Sequence, residues 1–324
     1  MQYLRIEDEI GYSRKRYEIR KKIEDMFLNE GYFQIEPSIF EDFDRFTYLN
    51  KRIRKESMVK VIGGSSEVLI LRPDITTSII KSLIPRWQEG LKVKLFYNSS
   101  IYRNQEIANV KEIRQMGIEY LGEESLKADK EVILLALKVL NSFDHRFILE
   151  MSNSKYINGL LKEIDIEEND RKHIKDLIYR KNRHELTSYI RTLNVPKSIF
   201  DTLANITDLQ GDIETVEAKS KLYHLNDEMK QALDEIKVLN ELIEEKGYKS
   251  NVQVDMSMVT ELDYYDSLIF KGYLPGSYKD IISGGRYDSF TKVFGEKVSA
   301  IGFCIDVDEL TEIKYEEVQQ SWTL

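Results

Sequence analysis

The sequence predicts an α+β protein, an antiparallel sheet flanked by helices and interrupted by a helical insertion. Three observations lead there. Strand-like segments cluster in two groups, at about residues 68–151 and 252–307, without strict βαβ alternation. Between them, residues 155–247 are rich in Lys, Glu, Asp and Leu, carry helical periodicity and contain one proline, Pro196. The first thirty residues form a further amphipathic segment ahead of both groups. The expected division is therefore a discontinuous core, residues 1–152 and 248–324, with a helical subdomain at 153–247.

The elements follow in order. Ile19, Ile23, Met26 and Phe27 form one stripe of a 3.6-residue period, predicting a helix over 13–30 with Ser13 as N-cap and Gly31 at its stop. Glu36-Pro37 is pushed toward extended backbone by the proline. The charged, Gly- and Ser-bearing stretch 50–67 reads as a loop or hairpin. Val68–Arg72, Val93–Tyr97 and Ile113–Leu121 read as strands, the last with Met116, Ile118 and Tyr120 alternating against Gln115, Gly117 and Glu119. Ile75, Ile79, Ile80 and Leu83 suggest a helix after Pro73-Asp74. Val132, Leu135, Ala136 and Val139 mark another over Lys127–Phe143, followed by a strand at Phe147–Met151. In the insertion, Leu222, Leu225, Met229, Leu233, Ile236, Leu239 and Ile243 recur every three or four residues. Strands return at Val252–Met258, Tyr264–Tyr273, Asp280–Ser283 and Ala300–Val307.

Composition excludes several functions. The chain has 324 residues and a net charge of -9, which argues against a nucleic-acid binder whose whole surface is the footprint. No apolar run approaches the ~20 residues of a spanning helix, and the N-terminus lacks a signal-peptide core. One cysteine, Cys304, excludes a disulfide framework and a cysteine-based zinc cluster, and a reducing cytoplasm fits best. No phosphate loop, G-x-G-x-x-G or G-x-S-x-G is present, and the four histidines lack metal-ligand spacing. No cofactor and no metal are expected.

Four segments carry more. They are Leu71-Arg-Pro-Asp-Ile-Thr76; Ile101-Tyr-Arg-Asn104 with Arg114-Gln-Met-Gly-Ile-Glu119; Leu262-Asp-Tyr-Tyr265; and Ser283-Gly-Gly-Arg-Tyr-Asp288 with Ile301-Gly-Phe303. In order and spacing they resemble the catalytic core of histidyl-tRNA synthetase, a class II synthetase, over about residues 10–310. The resemblance implies the class II fold and a dimer formed around Gly31–Pro37. It also implies a histidine pocket: Asp74 (in place of a Glu), Thr76 and Gln115 for the α-amino group, Glu119 and Tyr264 for the imidazole, Tyr265 as lining, and Arg103 and Arg286 as the retained arginines. A carboxylate and a phenol can satisfy both edges of an imidazole.

The departures from the synthetase pattern are equally specific. Where the synthetases carry an arginine before Gly-Leu-Asp-Tyr-Tyr, this chain has Thr260-Glu261. The third-motif arginine that grips ATP aligns with Glu309, and a nearby glycine with Asp306. Two carboxylates there would repel a triphosphate that arginine's charged fork would hold. After Leu310 only Thr311–Leu324 follow, too few for an anticodon-binding domain. Losses of this kind resemble the regulatory subunits of ATP phosphoribosyltransferase. That resemblance implies a noncatalytic protein of histidine biosynthesis. Its partner would be a short-form catalytic subunit, its assembly a hetero-octamer built on self-dimers, and histidine its effector, with no membrane partner and with the acidic balance weighing against tRNA. The alternative is a residual synthetase-like protein that activates histidine or binds tRNA.

Overall fold

A computed structural model describes residues 5–51, 53–64, 67–105, 109–259 and 265–313. Its strands and helices are, in order, α1 (Ile6–Asn29), β1 (Phe33–Gln34), β2 (Phe40–Asp42), α2 (Phe43–Leu49), β3 (Lys60–Ile62), β4 (Val68–Leu71), α3 (Ile75–Leu83), β5 (Val93–Gln105), β6 (Asn109–Leu121), α4 (Leu126–Asn141), β7 (Ile148–Asn153), α5 (Ser154–Lys162), α6 (Glu168–Tyr179), α7 (Arg183–Ile190), α8 (Lys197–Ala204), β8 (Gln210–Gly211), α9 (Ile213–Ser220), α10 (Asp227–Glu245), β9 (Val252–Asp255), β10 (Leu268–Tyr273), β11 (Ile282–Arg286), α11 (Asp288–Thr291), β12 (Ala300–Asp306) and α12 (Val307–Glu312).

One large sheet runs β1-β5-β6-β12-β11-β10-β7-β9-β8, and a small one runs β2-β4-β3. The large sheet is antiparallel through its centre, as expected, but β1–β5 and β7–β9 pair in parallel. Its register explains its two faces. One cross-strand row is Phe96, Ile118, Phe303, Gly284, Phe270 and Met151. These residues are buried, and Phe27 of α1 packs on Phe96 and Phe303 with ring centroids 5.8 and 6.0 Å away. The neighbouring rows point to the opposite face because side chains alternate along a strand. They read Leu95, Glu119, Gly302, Gly285, Ile269 and Tyr97, Gly117, Cys304, Ser283, Lys271. That second face carries the candidate site.

Several expectations change. The first helix starts at Ile6, and Ser13 lies inside it. Its opening turns are exposed, so apolar periodicity does not mark them, while Glu7, Asp8 and Glu9 suit the positive end of the helix dipole. The expected stop holds: Gly31 has φ +80°. Strands β5 and β6 each run 13 residues, beyond the five and nine expected, because their more polar outer halves continue to pair with each other, from Asn98 opposite Met116 to Gln105 opposite Asn109. Stretch 50–67 contains β3, which pairs with β4 as a hairpin. In the insertion, Asn226 caps α10 by accepting from Met229 N at 2.9 Å, so Leu222 and Leu225 lie outside that helix and Leu222 is exposed. The helices expected over 153–247 are present as α5–α10. Their apolar faces share one continuous core cluster with α4 and the large sheet, and β8 adds a strand to that sheet. No helix among the described residues is long and apolar enough to cross a membrane.

Candidate amino-acid pocket

Residues from α3, β5, β6, β11 and β12 meet on the second face of the sheet. They line a cavity of about 190 Å³, whose walls include Asp74, Thr76, Tyr97, Arg103, Gln115, Glu119, Tyr265, Ser283, Tyr287 and Cys304. That is smaller than the ~300–1,000 Å³ of drug-sized sites and suits a single small molecule.

Glu119 forms a buried part of the cavity wall. It is 2% exposed. Thr76 Oγ1 donates to its Oε1 at 2.6 Å, and Tyr287 OH donates to its Oε2. Burial pushes its carboxyl up to about 8; the Thr76 and Tyr287 hydrogen bonds act the other way, and the nearby Asp74 charge adds to the rise. The space for this carboxylate comes from Gly302. A Cβ on that residue would lie 2.2 Å from Glu119 Oε2 and 2.2 Å from Ile118 O.

Asp74 caps α3, with its Oδ2 accepting from Thr77 N at 2.7 Å and from Thr77 Oγ1. The Pro73-Asp74 turn thus fixes both the start of the helix and a carboxylate at the pocket wall. Burial holds the Tyr97 and Tyr287 phenols well above their usual range. It also pushes the Cys304 thiol up to about 11, so Cys304 is a protonated thiol, 3.3 Å from Ser283 Oγ. Gly117 lets Tyr97 cross the sheet: a Cβ there would lie 2.4 Å from the Tyr97 hydroxyl.

Of the sequence-predicted pocket residues, Asp74, Thr76, Arg103, Gln115, Glu119 and Tyr265 line this cavity. Tyr264 and Thr260 lie outside the described residues. Arg286 is placed elsewhere. Strand alternation turns it to the core face, where its Nε and Nη2 donate to Asp129 of α4 at 3.1 and 2.5 Å. Its Nη1 reaches Glu123 O and Asp288, each at 3.3 Å. Arg286 braces the sheet against α4. Tyr287, the next residue of the same Gly-Gly-Arg-Tyr-Asp motif, is the one that reaches Glu119. The period-2 signal of β11 already separates these two positions.

The expected ATP-binding end is closed by charge. Asp306 caps α12 and accepts from Glu309 N at 2.9 Å. Lys279 Nζ lies 2.8 Å from Glu309 Oε2 and 3.4 Å from Asp306 Oδ2, and Ser277 donates to Glu309 Oε1 at 2.7 Å. Burial alone would raise the Glu309 carboxyl; the Lys279 and Ser277 bonds outweigh it and hold it below its usual value. Arg114 is engaged by Glu112 at 2.9 Å and Asp308 at 3.3 Å. Glu309 therefore stands ionised and paired at the position where the synthetase resemblance would place an arginine.

Comparisons with known proteins follow the same lines. The histidyl-tRNA synthetase family matches residues 11–310. An ATP phosphoribosyltransferase regulatory subunit of Clostridium kluyveri is 30% identical over 301 residues, covering 91% of this chain and 77% of that protein. Its counterpart in Clostridium novyi is 33% identical over 300 residues, covering 91% and 71%. Among solved structures, an ATP phosphoribosyltransferase regulatory subunit/histidyl-tRNA synthetase from Bacillus halodurans superposes with a TM-score of 0.83 at 26% identity, covering 96% of this chain and 81% of that one. A chain of an ATP phosphoribosyl transferase complex from Thermotoga maritima shares the fold, with a TM-score of 0.69 at 17% identity over 90% and 97%.

Proposed function

The chain belongs to the family of ATP phosphoribosyltransferase regulatory subunits, built on a histidyl-tRNA synthetase-like fold, and on that premise we propose how it acts. It is a noncatalytic subunit in the first step of histidine biosynthesis. It activates a short-form catalytic subunit in the cytoplasm and takes part in feedback inhibition by histidine. The assembly is a hetero-octamer built on self-dimers. Exposed Phe33 and Phe40, on either side of the Glu36-Pro37 segment, supply apolar surface for the self-dimer.

One contrast carries this reading. The amino-acid half of a synthetase site is kept, with Glu119 buried and two hydroxyls donating to it. The phosphate half carries Glu309 and Asp306, both tied to Lys279. A site that holds an amino acid and repels a triphosphate suits sensing and does not suit adenylation. Asp74 Oδ2 is spent on the helix cap, and Oδ1 takes the ligand ammonium, with Thr76 and Gln115 beside it. Glu119 meets the side chain, and Arg103 the carboxylate. Feedback then needs histidine to bind the inhibited assembly more tightly than the active one; a coupling of ~1–3 kcal/mol gives a 5–150-fold effect.

Calorimetric titration of the purified chain, alone and with the short-form catalytic subunit, tests the pocket. Histidine binding that Glu119→Ala abolishes, together with inhibition that it weakens, is expected. Unchanged affinity and inhibition in Glu119→Ala would make the pocket a relic and move the inhibitory site elsewhere.

A further inference from the structure

Resting on the reading that this pocket takes histidine, we propose that Glu119 enters the binding reaction protonated and passes its proton to the ligand's imidazole, so that histidine is held as imidazolium against a carboxylate formed in place. The argument begins with what surrounds Glu119. From the cap and first turn of α3 come Asp74 and Thr76, from β5 Tyr97, from just after β11 Tyr287, from β12 Cys304, and from the segment before β10 Tyr265. The neighbouring charge that raises Glu119 is that of Asp74, a second carboxyl group. Among the described residues lining the cavity, Arg103 is the cation, and it lies well along β5 from Leu95, the residue paired with Glu119. A buried carboxyl beside a second carboxyl group keeps a proton until a cation arrives.

The proton balance is closed. In the empty pocket the Glu119 carboxyl holds one proton, and near pH 7 the free imidazole carries one N–H and one bare nitrogen. On binding, the O–H bond of Glu119 breaks and its electron pair stays on the carboxylate. The bare ring nitrogen takes the proton, and none is exchanged with water. Thr76 and Tyr287 already donate toward the two carboxylate oxygens, so the new anion is solvated as it forms.

The magnitudes agree. Glu119 starts at about 8 and a free imidazole at about 6.5, a gap of about 1.5 units against transfer. An opposite charge within ~4–6 Å lowers a carboxyl by ~1–3 units, and the carboxylate raises the imidazole in return. Together these shifts reverse the gap, and the two groups then titrate as a pair. Affinity should consequently be nearly level between about pH 6.5 and 8, and fall about tenfold per unit below it, where a surplus proton must be expelled.

The test uses the full chain and histidine itself. Titration calorimetry near pH 7.3 in two buffers of different ionisation enthalpy counts protons, and nitrogen NMR of ring-labelled histidine in the complex reports its protonation. The expected result is a buffer-independent enthalpy with an imidazolium spectrum. In Glu119→Gln, affinity should fall at least tenfold and any bound ligand should show a neutral ring. Uptake of about one proton by the native chain would mean that Glu119 is ionised in the empty pocket, overturning the proposal. So would a neutral ring in the native complex, or an imidazolium that persists in Glu119→Gln. Absence of histidine binding to the native chain is a different failure, and removes the pocket reading itself.

Discussion

Replacing Arg286 by alanine separates a brace from a binding group. The guanidinium and the Asp129 carboxylate form a two-pronged pair at 3.1 and 2.5 Å, with side chains 8% and 2% exposed. The substitution leaves Asp129 buried without its counter-charge. Breaking one half of such a pair costs about 3–5 kcal/mol. For a chain longer than 250 residues each kcal/mol moves the melting temperature by about 2 °C, so a fall of about 6–10 °C is expected. Urea unfolding should show the same loss as a lower midpoint at an unchanged slope. Asp129→Ala should cost a similar amount, and the joint change Arg286→Met with Asp129→Leu should recover most of it, because the desolvation cost disappears with both charges. Histidine affinity measured well below the melting range should change less than threefold. A stability loss under about 1 kcal/mol, combined with a tenfold loss of histidine affinity, would refute the brace and return Arg286 to the pocket.

Gly302→Ala places a Cβ 2.2 Å from Glu119 Oε2 and from the Ile118 carbonyl, so it should lower stability by about 1–3 kcal/mol in urea titration and weaken histidine binding. The ligand-free protein should lose stability as pH rises from about 4.5 to about 8: native Glu119 holds a proton that the unfolded chain releases near 4.5, and the loss amounts to about 5 kcal/mol. Glu119→Gln should therefore melt above the parent at pH 8.5, with the difference shrinking toward pH 5. Histidine-dependent pyrophosphate–ATP exchange should be absent, and Lys279→Ala, which leaves Glu309 and Asp306 without their shared cation, should not create it.

Much of this molecule could be read before its structure was known, where the physics is local. The stripe Ile19, Ile23, Phe27 gave a helix that packs on the sheet, and alternation around Ile118 gave a strand with Glu119 on its far side. Local signals failed where geometry is set from outside. The outer halves of β5 and β6 are polar and exist because they pair with each other. The first turns of α1 bury nothing and carry no apolar stripe. At the site, motif resemblance singles out Asp74, Thr76 and Glu119, which line one cavity, but also Arg286, which lies against Asp129, and not Tyr287, which reaches Glu119. A motif string does not separate faces, whereas Arg286, the last residue of β11, reaches Asp129 and Tyr287 just after it reaches Glu119. Gly117 and Gly302 leave room for the Tyr97 and Glu119 side chains against the sheet, a cross-strand packing that spacing along the chain does not reveal.

The central claim is that this chain governs a partner's catalysis and performs none itself. Its most direct test is the rate of phosphoribosyl transfer to ATP by a short-form catalytic subunit, measured with and without this chain and across histidine concentrations. The account predicts stimulation on adding the chain, stable co-elution of the two proteins, and inhibition by histidine that Glu119→Ala weakens. An unchanged rate without co-elution, alongside histidine-dependent pyrophosphate–ATP exchange by the chain alone, would contradict it.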